Sequence, residues 1–157
     1  MINSDIFSKV NACTYLDISE LTELPRNGLR VVVDEARIEG PLLNLNIGNV
    51  DLSNFSIKEI QTSPDSLSFE LLWPFYVTYA VTPESYAVPD ESAEGEGKLF
   101  CVYTKSCFLD YAKISALELG PFKHWAVYGL NSTLNVVAHD PPQLRILSPP
   151  PVTFSSH

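Results

Sequence analysis

The sequence predicts an α+β fold, mostly antiparallel β-sheet, with one main helix near residues 106–119. Two observations carry this. Short apolar segments recur between turn residues from Leu29 to Leu147, and only one segment, opening at Ser106, has a strong helical pattern. A third observation fixes the core. From Leu67 to Val81 every odd position is apolar or aromatic, including Leu67, Phe69, Leu71, Trp73, Phe75, Val77, Tyr79 and Val81. Strict period two places such a set on one face of a sheet.

Residues 5–24 support two readings. Ile6, Phe7, Val10 and Cys13 fit a helical face, whereas Thr14-Tyr15-Leu16-Asp17-Ile18 fits a strand. Leu24-Pro25-Arg26-Asn27-Gly28 is a turn. Leu29–Ile38 is a Val-rich strand with apolar side chains on both faces, ended by Gly40-Pro41. Leu43, Leu45 and Ile47 alternate with asparagines as a half-buried strand, and Gly48-Asn49 turns the chain. Val50, Leu52, Phe55 and Ile57 change parity, which predicts a bulge near Ser53-Asn54. Ser63-Pro64-Asp65 is the next turn. Pro74 lacks a ladder donor, so Leu67–Val81 is a long bent strand or two strands joined at Trp73-Pro74.

Residues 89–98 hold four acids, two glycines and no large apolar side chain, and read as a solvated loop. Leu99–Thr104 is a strand. Ser106 is the expected N-cap, with Asp110 in the first turn where the helix dipole favours an acid. Phe108, Tyr111, Ala112, Ser115 and Leu119 form the expected buried stripe, and Gly120-Pro121 stops the helix. Phe122–Leu130 and Leu134–Ala138 form a hairpin about Asn131-Ser132. His139-Asp140-Pro141-Pro142 breaks it, and Leu144–Leu147 is a last short strand. The expected domain is 1–147, followed by a Pro-rich, frayed tail at 148–157.

The chain has 157 residues, 45% of them hydrophobic, and a formal net charge of −9. That size and composition suit one globular domain. The charge is uneven: residues 1–97 carry −11 and residues 98–157 carry +2. Such an acidic chain lacks the basic footprint of a nucleic-acid binder. The acidity serves solubility, or it steers a basic partner. Met1–Val10 has neither the basic nor the apolar region of a signal peptide, and no stretch is apolar enough to span a membrane. The three cysteines Cys13, Cys101 and Cys107 are an odd set. Together these features predict reduced thiols and a cytoplasmic location.

No catalytic motif is present. There is no CxxC, HExxH, GxGxxG or GxSxG, and no cofactor or metal site is predicted. Gly95-Glu96-Gly97-Lys98-Leu99 has the look of a phosphate-loop end. It fails because Ser92 and Leu99 stand where a glycine and a magnesium-binding hydroxyl belong. Cys107, His124 and Asp110 are candidate members of a nucleophilic triad, since a helix N-terminus activates a thiol. The competing reading is a small thiol, a packed histidine and a helix-start acid. His139 beside Asp140 invites an acid–base reading, against which Asp140 before two prolines supports a turn. Tyr76 and Tyr86 are candidate interface anchors, or edge packing.

Residues 99–147 contain SCFLDYAKI on a short helix, then FKHWAVYGLN, then LNVVAHDPPQL. In this third of the chain the sequence resembles the C-terminal part of small bacterial proteins of the toxin-immunity type. The resemblance implies a non-enzymatic, tight-binding protein and transfers no catalytic residue. The expectation is therefore a protein-binding domain that neutralises a basic toxin. Its candidate partner-binding residues are Tyr76, Glu84, Tyr86, Asp90, Glu91, Glu94 and Glu96. Two alternatives stay open: a small-ligand-binding protein or enzyme using Cys107, His124 or His139, and a structural subunit of a larger assembly.

Overall fold

The computed structural model describes residues 1–42, 46–47, 50–51, 58–61, 65–117 and 120–147. The expected bulge at Ser53-Asn54 and the Pro-rich tail 148–157 lie outside these residues. The fold is α+β and mostly antiparallel sheet.

Both readings of the N-terminus hold, each over its own half. Helix α1 (Ser4–Ala12) is capped by Asn3, whose side-chain oxygen accepts from the Ile6 amide at 3.2 Å. Strand β1 (Tyr15–Leu24) follows and pairs antiparallel with β2 (Gly28–Leu42). Arg26 and Asn27 make the turn in the left-handed region, at φ 64° and 63°. Strand β2 does not stop at Gly40-Pro41, as the sequence predicts, but runs to Leu42. Its far end pairs with a second partner, β5 (Lys58–Gln61), which extends it. Two short strands, β3 (Asn46–Ile47) and β4 (Val50–Asp51), pair with each other.

The segment from Leu67 to Val81 breaks at Trp73-Pro74 into β6 (Ser68–Trp73) and β7 (Thr78–Pro83), and the two halves enter different sheets. Strand β6 joins β2 and β12 (Gln143–Leu147), giving the order β1-β2-β6-β12 with β5 beside β2. The second sheet has the order β7-β11-β10-β9-β8. Its other members are β8 (Glu94–Gly97), β9 (Phe100–Lys105), β10 (Lys123–Tyr128) and β11 (Ser132–Ala138). The break bears out the reading of two strands joined at Trp73-Pro74 and corrects the expectation that all the odd positions share one face. Phe69, Leu71 and Trp73 are fully buried, but Leu67 and Val81 are exposed and Phe75 is 63% exposed. Alternation carries a face only while one strand keeps its ladder, and Pro74 ends it.

One core lies between the sheets. Val31, Val33, Phe69, Leu71 and Trp73 from the first meet Phe100, Trp125, Leu134 and Val136 from the second, and Val10 and Cys13 add the end of α1. Trp73 packs edge-on against Phe100 and Trp125, each with ring centroids 6.5 Å away. Its indole N–H has no hydrogen-bond partner among the described residues. Helix α2 (Cys107–Ser115) covers the outer face of the second sheet. Ser106 is its N-cap, as predicted, accepting from the Leu109 amide at 3.0 Å. Its buried residues are Leu109 and Ala112, which meet Phe122 and Val137 with Phe108 alongside. This corrects the expected stripe, because Tyr111 and Ser115 face outward and the helix ends at Ser115.

The outer face of the first sheet is polar. Arg30 Nη1 donates to Glu20 at 2.6 Å and its Nε to Glu70 at 2.7 Å, while Arg145 Nη2 donates to Glu70 at 3.1 Å. One charged row thus crosses β1, β2, β6 and β12. Burial pushes the Glu70 carboxyl up, but the bonds from the two arginines outweigh it and leave Glu70 below its ordinary value.

A tyrosine-floored pocket on the outer face of the second sheet

Strand pairing builds the site. On β10, Trp125 and Val127 point into the core, so His124, Ala126 and Tyr128 lie on the outer face. His124 pairs with Tyr103 on β9, and Tyr128 pairs with Thr133 on β11, which in turn pairs with Thr82 on β7. Asn135 lies beside Ala126. Thr82, Tyr103, His124, Tyr128, Thr133 and Asn135 floor a pocket of about 650 Å³, within the range of ligand sites. Its walls are the segment 84–93, which opens with a 3₁₀ turn at Glu84–Tyr86, and the first turn of α2 with Cys107 and Phe108.

Part of the polar floor is paired internally. The Tyr103 and Tyr128 hydroxyls share one hydrogen bond of 2.8 Å. Burial pushes both phenols up, and so both stay protonated at neutral pH. His124 is buried, with Nδ1 2.7 Å from Ser106 Oγ and Nε2 2.8 Å from Asn135 Oδ1. Burial favours the neutral imidazole, so only one ring nitrogen carries a proton and the other accepts. The Asn135 carbonyl oxygen is an acceptor, so Nε2 carries the proton. Nδ1 then accepts from the Ser106 hydroxyl, and burial holds His124 below its ordinary value.

Asp90 ties the wall to the helix. Its Oδ2 accepts from the Cys107 amide at 2.7 Å, and Oδ1 accepts from the Ser92 amide at 3.0 Å and the Ser92 hydroxyl at 2.6 Å. The Ser92 hydroxyl and the Cys107 amide pull its carboxyl down to about 2. The segment 89–98 is thus no loose loop. Asp90 anchors it to α2, and Glu94–Gly97 is the edge strand β8, paired with β9. Composition alone missed these anchors.

The structure brings Glu84, Tyr86, Asp90, Cys107 and His124 to this one pocket. Glu91 lies in the adjoining turn, and Glu94 and Glu96 on β8. Glu94 meets Lys105 at 3.1 Å. Tyr76 is not among the lining residues: it packs edge-on against Tyr79, centroids 5.0 Å apart, at the rim of the core. Cys107, His124 and Asp110 do not form a relay. Both nitrogens of His124 are taken, and Cys107 Sγ lies 3.5 Å from Asp90 and 3.7 Å from Ser92. His139 stands apart, its Nδ1 3.1 Å from the Pro121 carbonyl. Tyr103, Tyr128 and Asn135 were not singled out from sequence. Their signal was polar residues on the parity opposite Trp125 and Leu134.

All three cysteines are free, Cys107 exposed and the others buried. Among the described residues no three His, Cys, Asp or Glu side chains gather as a metal site, and no helix is long and apolar enough to cross a membrane. Comparison with protein-family models, curated proteins and solved structures finds no match to this chain.

Proposed function

We propose that this chain is a non-enzymatic protein-binding domain that captures a basic partner through the pocket face of its second sheet, as an immunity protein captures a basic toxin. The observation that carries the reading is how the acids are distributed between internal and free roles. On the first sheet Glu20 and Glu70 are held by arginines, Glu35 by Arg37, and Glu23 accepts from the Tyr79 hydroxyl. The carboxylates of Glu84, Glu91 and Glu96 have no ion-pair or hydrogen-bond partner among the described residues. Glu84 lines the pocket, Glu91 lies in the adjoining turn and Glu96 on β8, so free carboxylates stand beside the pocket, while Asp17, Asp65, Asp110 and Asp140 are free on other parts of the described fold. Beside the pocket stand Tyr86 and Val88, 78% and 87% exposed, an aromatic and an aliphatic anchor inside an acidic rim.

The test is co-expression with the product of the adjacent gene, followed by association rates from low to high salt. A complex is expected, with an association rate that falls as salt rises. The triple variant Glu84→Gln, Glu91→Gln, Glu96→Gln is expected to associate about tenfold more slowly at low salt. An acidic neighbour, or a rate indifferent to salt and to neutralisation, would overturn the reading. A small-ligand-binding protein is the second reading, favoured by the pocket's volume alone.

A further inference from the structure

The occupant of the pocket follows from what its walls lack. Among the described residues no lysine or arginine lines it, whereas Glu84 and Asp90 do. The histidine on its floor has both nitrogens engaged within the protein. Three donors of the wall segment and helix start, the Cys107 amide and the Ser92 amide and hydroxyl, are turned to Asp90. An anion would meet two carboxylates and no free cation.

Acceptors remain available. The Glu84 carboxylate has no internal partner among the described residues. Asp90 Oδ2 accepts one hydrogen bond and has a second lone pair. The paired hydroxyls of Tyr103 and Tyr128 keep lone pairs beyond the one they share. Three tyrosine rings supply faces for a planar cation, and Val88, Pro89 and Ala93 supply apolar wall for a methylene stem.

We propose that the pocket takes an arginine side chain presented by the basic partner, recognised by the carboxylates of Glu84 and Asp90 and the rings of Tyr86, Tyr103 and Tyr128. The inference rests on the binding reading above and names its anchor. Arginine fits better than lysine because a planar fork stacks on tyrosine and accepts two carboxylates at once, whereas an ammonium is a compact, strongly hydrated point charge.

The test uses the full chain and four probes: arginine capped as its N-acetyl methylamide, the capped lysine and citrulline analogues, and free arginine. Binding is followed by backbone amide NMR. Capped arginine is expected to shift the amides of Glu84, Tyr103 and Tyr128. Citrulline, which keeps the shape and loses the charge, is expected to bind about tenfold more weakly. Glu84→Gln and Tyr86→Ala, both on the exposed rim, are expected to weaken arginine by a similar factor with an unchanged melting temperature. Equal binding of arginine and citrulline, or shifts confined to other faces, would overturn the proposal. So would free arginine binding tenfold tighter than the capped form, which would make this a small-molecule site. A partner that associates in a salt-dependent way while arginine leaves the pocket amides unmoved overturns this inference alone. An intact arginine response without salt-dependent association overturns the broader binding reading alone.

Discussion

Replacing Asn11 with alanine should destabilise the fold far more than a half-buried polar residue at a helix end normally does. Its Oδ1 accepts from three successive amides, Lys98 at 2.7 Å, Leu99 at 2.8 Å and Phe100 at 3.0 Å. Its Nδ2 donates to the carbonyls of Phe7 at 3.1 Å and Phe100 at 2.9 Å. Successive amides converging on one oxygen form a backbone nest, and this one sets the turn from β8 into β9. Gly97 precedes it at φ +108°, a conformation that suits glycine. The Lys98 amide is exposed and can turn to water. The Leu99 and Phe100 amides are partly buried, and each stranded buried donor costs about 1–3 kcal/mol. Discounting for partial exposure, Asn11→Ala should cost about 2–4 kcal/mol in urea unfolding. Amide exchange at Leu99 and Phe100 should accelerate by more than the global change explains. A loss under about 0.5 kcal/mol with unchanged exchange would show that the nest does not hold the turn.

Phe69→Ala should cost about 3–5 kcal/mol and Phe75→Ala only about 0.5 kcal/mol by the same assay, since the first is fully buried and the second exposed; equal losses would refute the strand break at Trp73-Pro74. For His124 the folded value lies below the unfolded one of 6.5, so the unfolded chain binds more protons on acidification. Stability should therefore be unaffected above pH 6.5 and fall as pH drops from there through the folded value. His124→Gln should flatten that part of the profile, and parallel losses in both proteins would show that another group is responsible.

The parts of the fold legible in the sequence are those where one local rule acts alone. Ser106 is a cap wherever helix α2 packs, and the Asn131-Ser132 turn needs only its flanking strands. Both the helix at Ile6–Val10 and the strand at Tyr15–Ile18 are visible, and only their division was not, because Cys13 suits either side. Period two over Leu67–Val81 misled because parity says which residues share a face, not which sheet owns the strand. The acidic segment 89–98 misled for a different reason. Its composition resembles a disordered loop, but Asp90 is paired with an amide 17 residues later and Lys98 with a side chain 87 residues earlier. Such long-range bonds leave no local trace. The same holds for the pocket, whose floor comes from four strands and appears only once their register is known.

That origin constrains how the site can be probed. Asp90 and His124 line the pocket, but each also holds the fold: Asp90 binds the first amide of α2, and His124 joins its N-cap Ser106 to Asn135 on β11. Substituting either would move the helix and the pocket wall together, so lost binding could not be separated from lost structure. Glu84 and Tyr86 carry no such duty. They stand exposed on a 3₁₀ turn, no side-chain cap holds that turn, and its backbone is fixed instead by the Glu84 amide on the Asn131 carbonyl at 2.9 Å. A change there alters the charge and the aromatic surface offered to a partner while leaving the backbone bond in place. The rim is thus separable from the structural network beneath it, and on the proposed binding reading Glu84 and Tyr86 are where a partner's specificity is most readily altered.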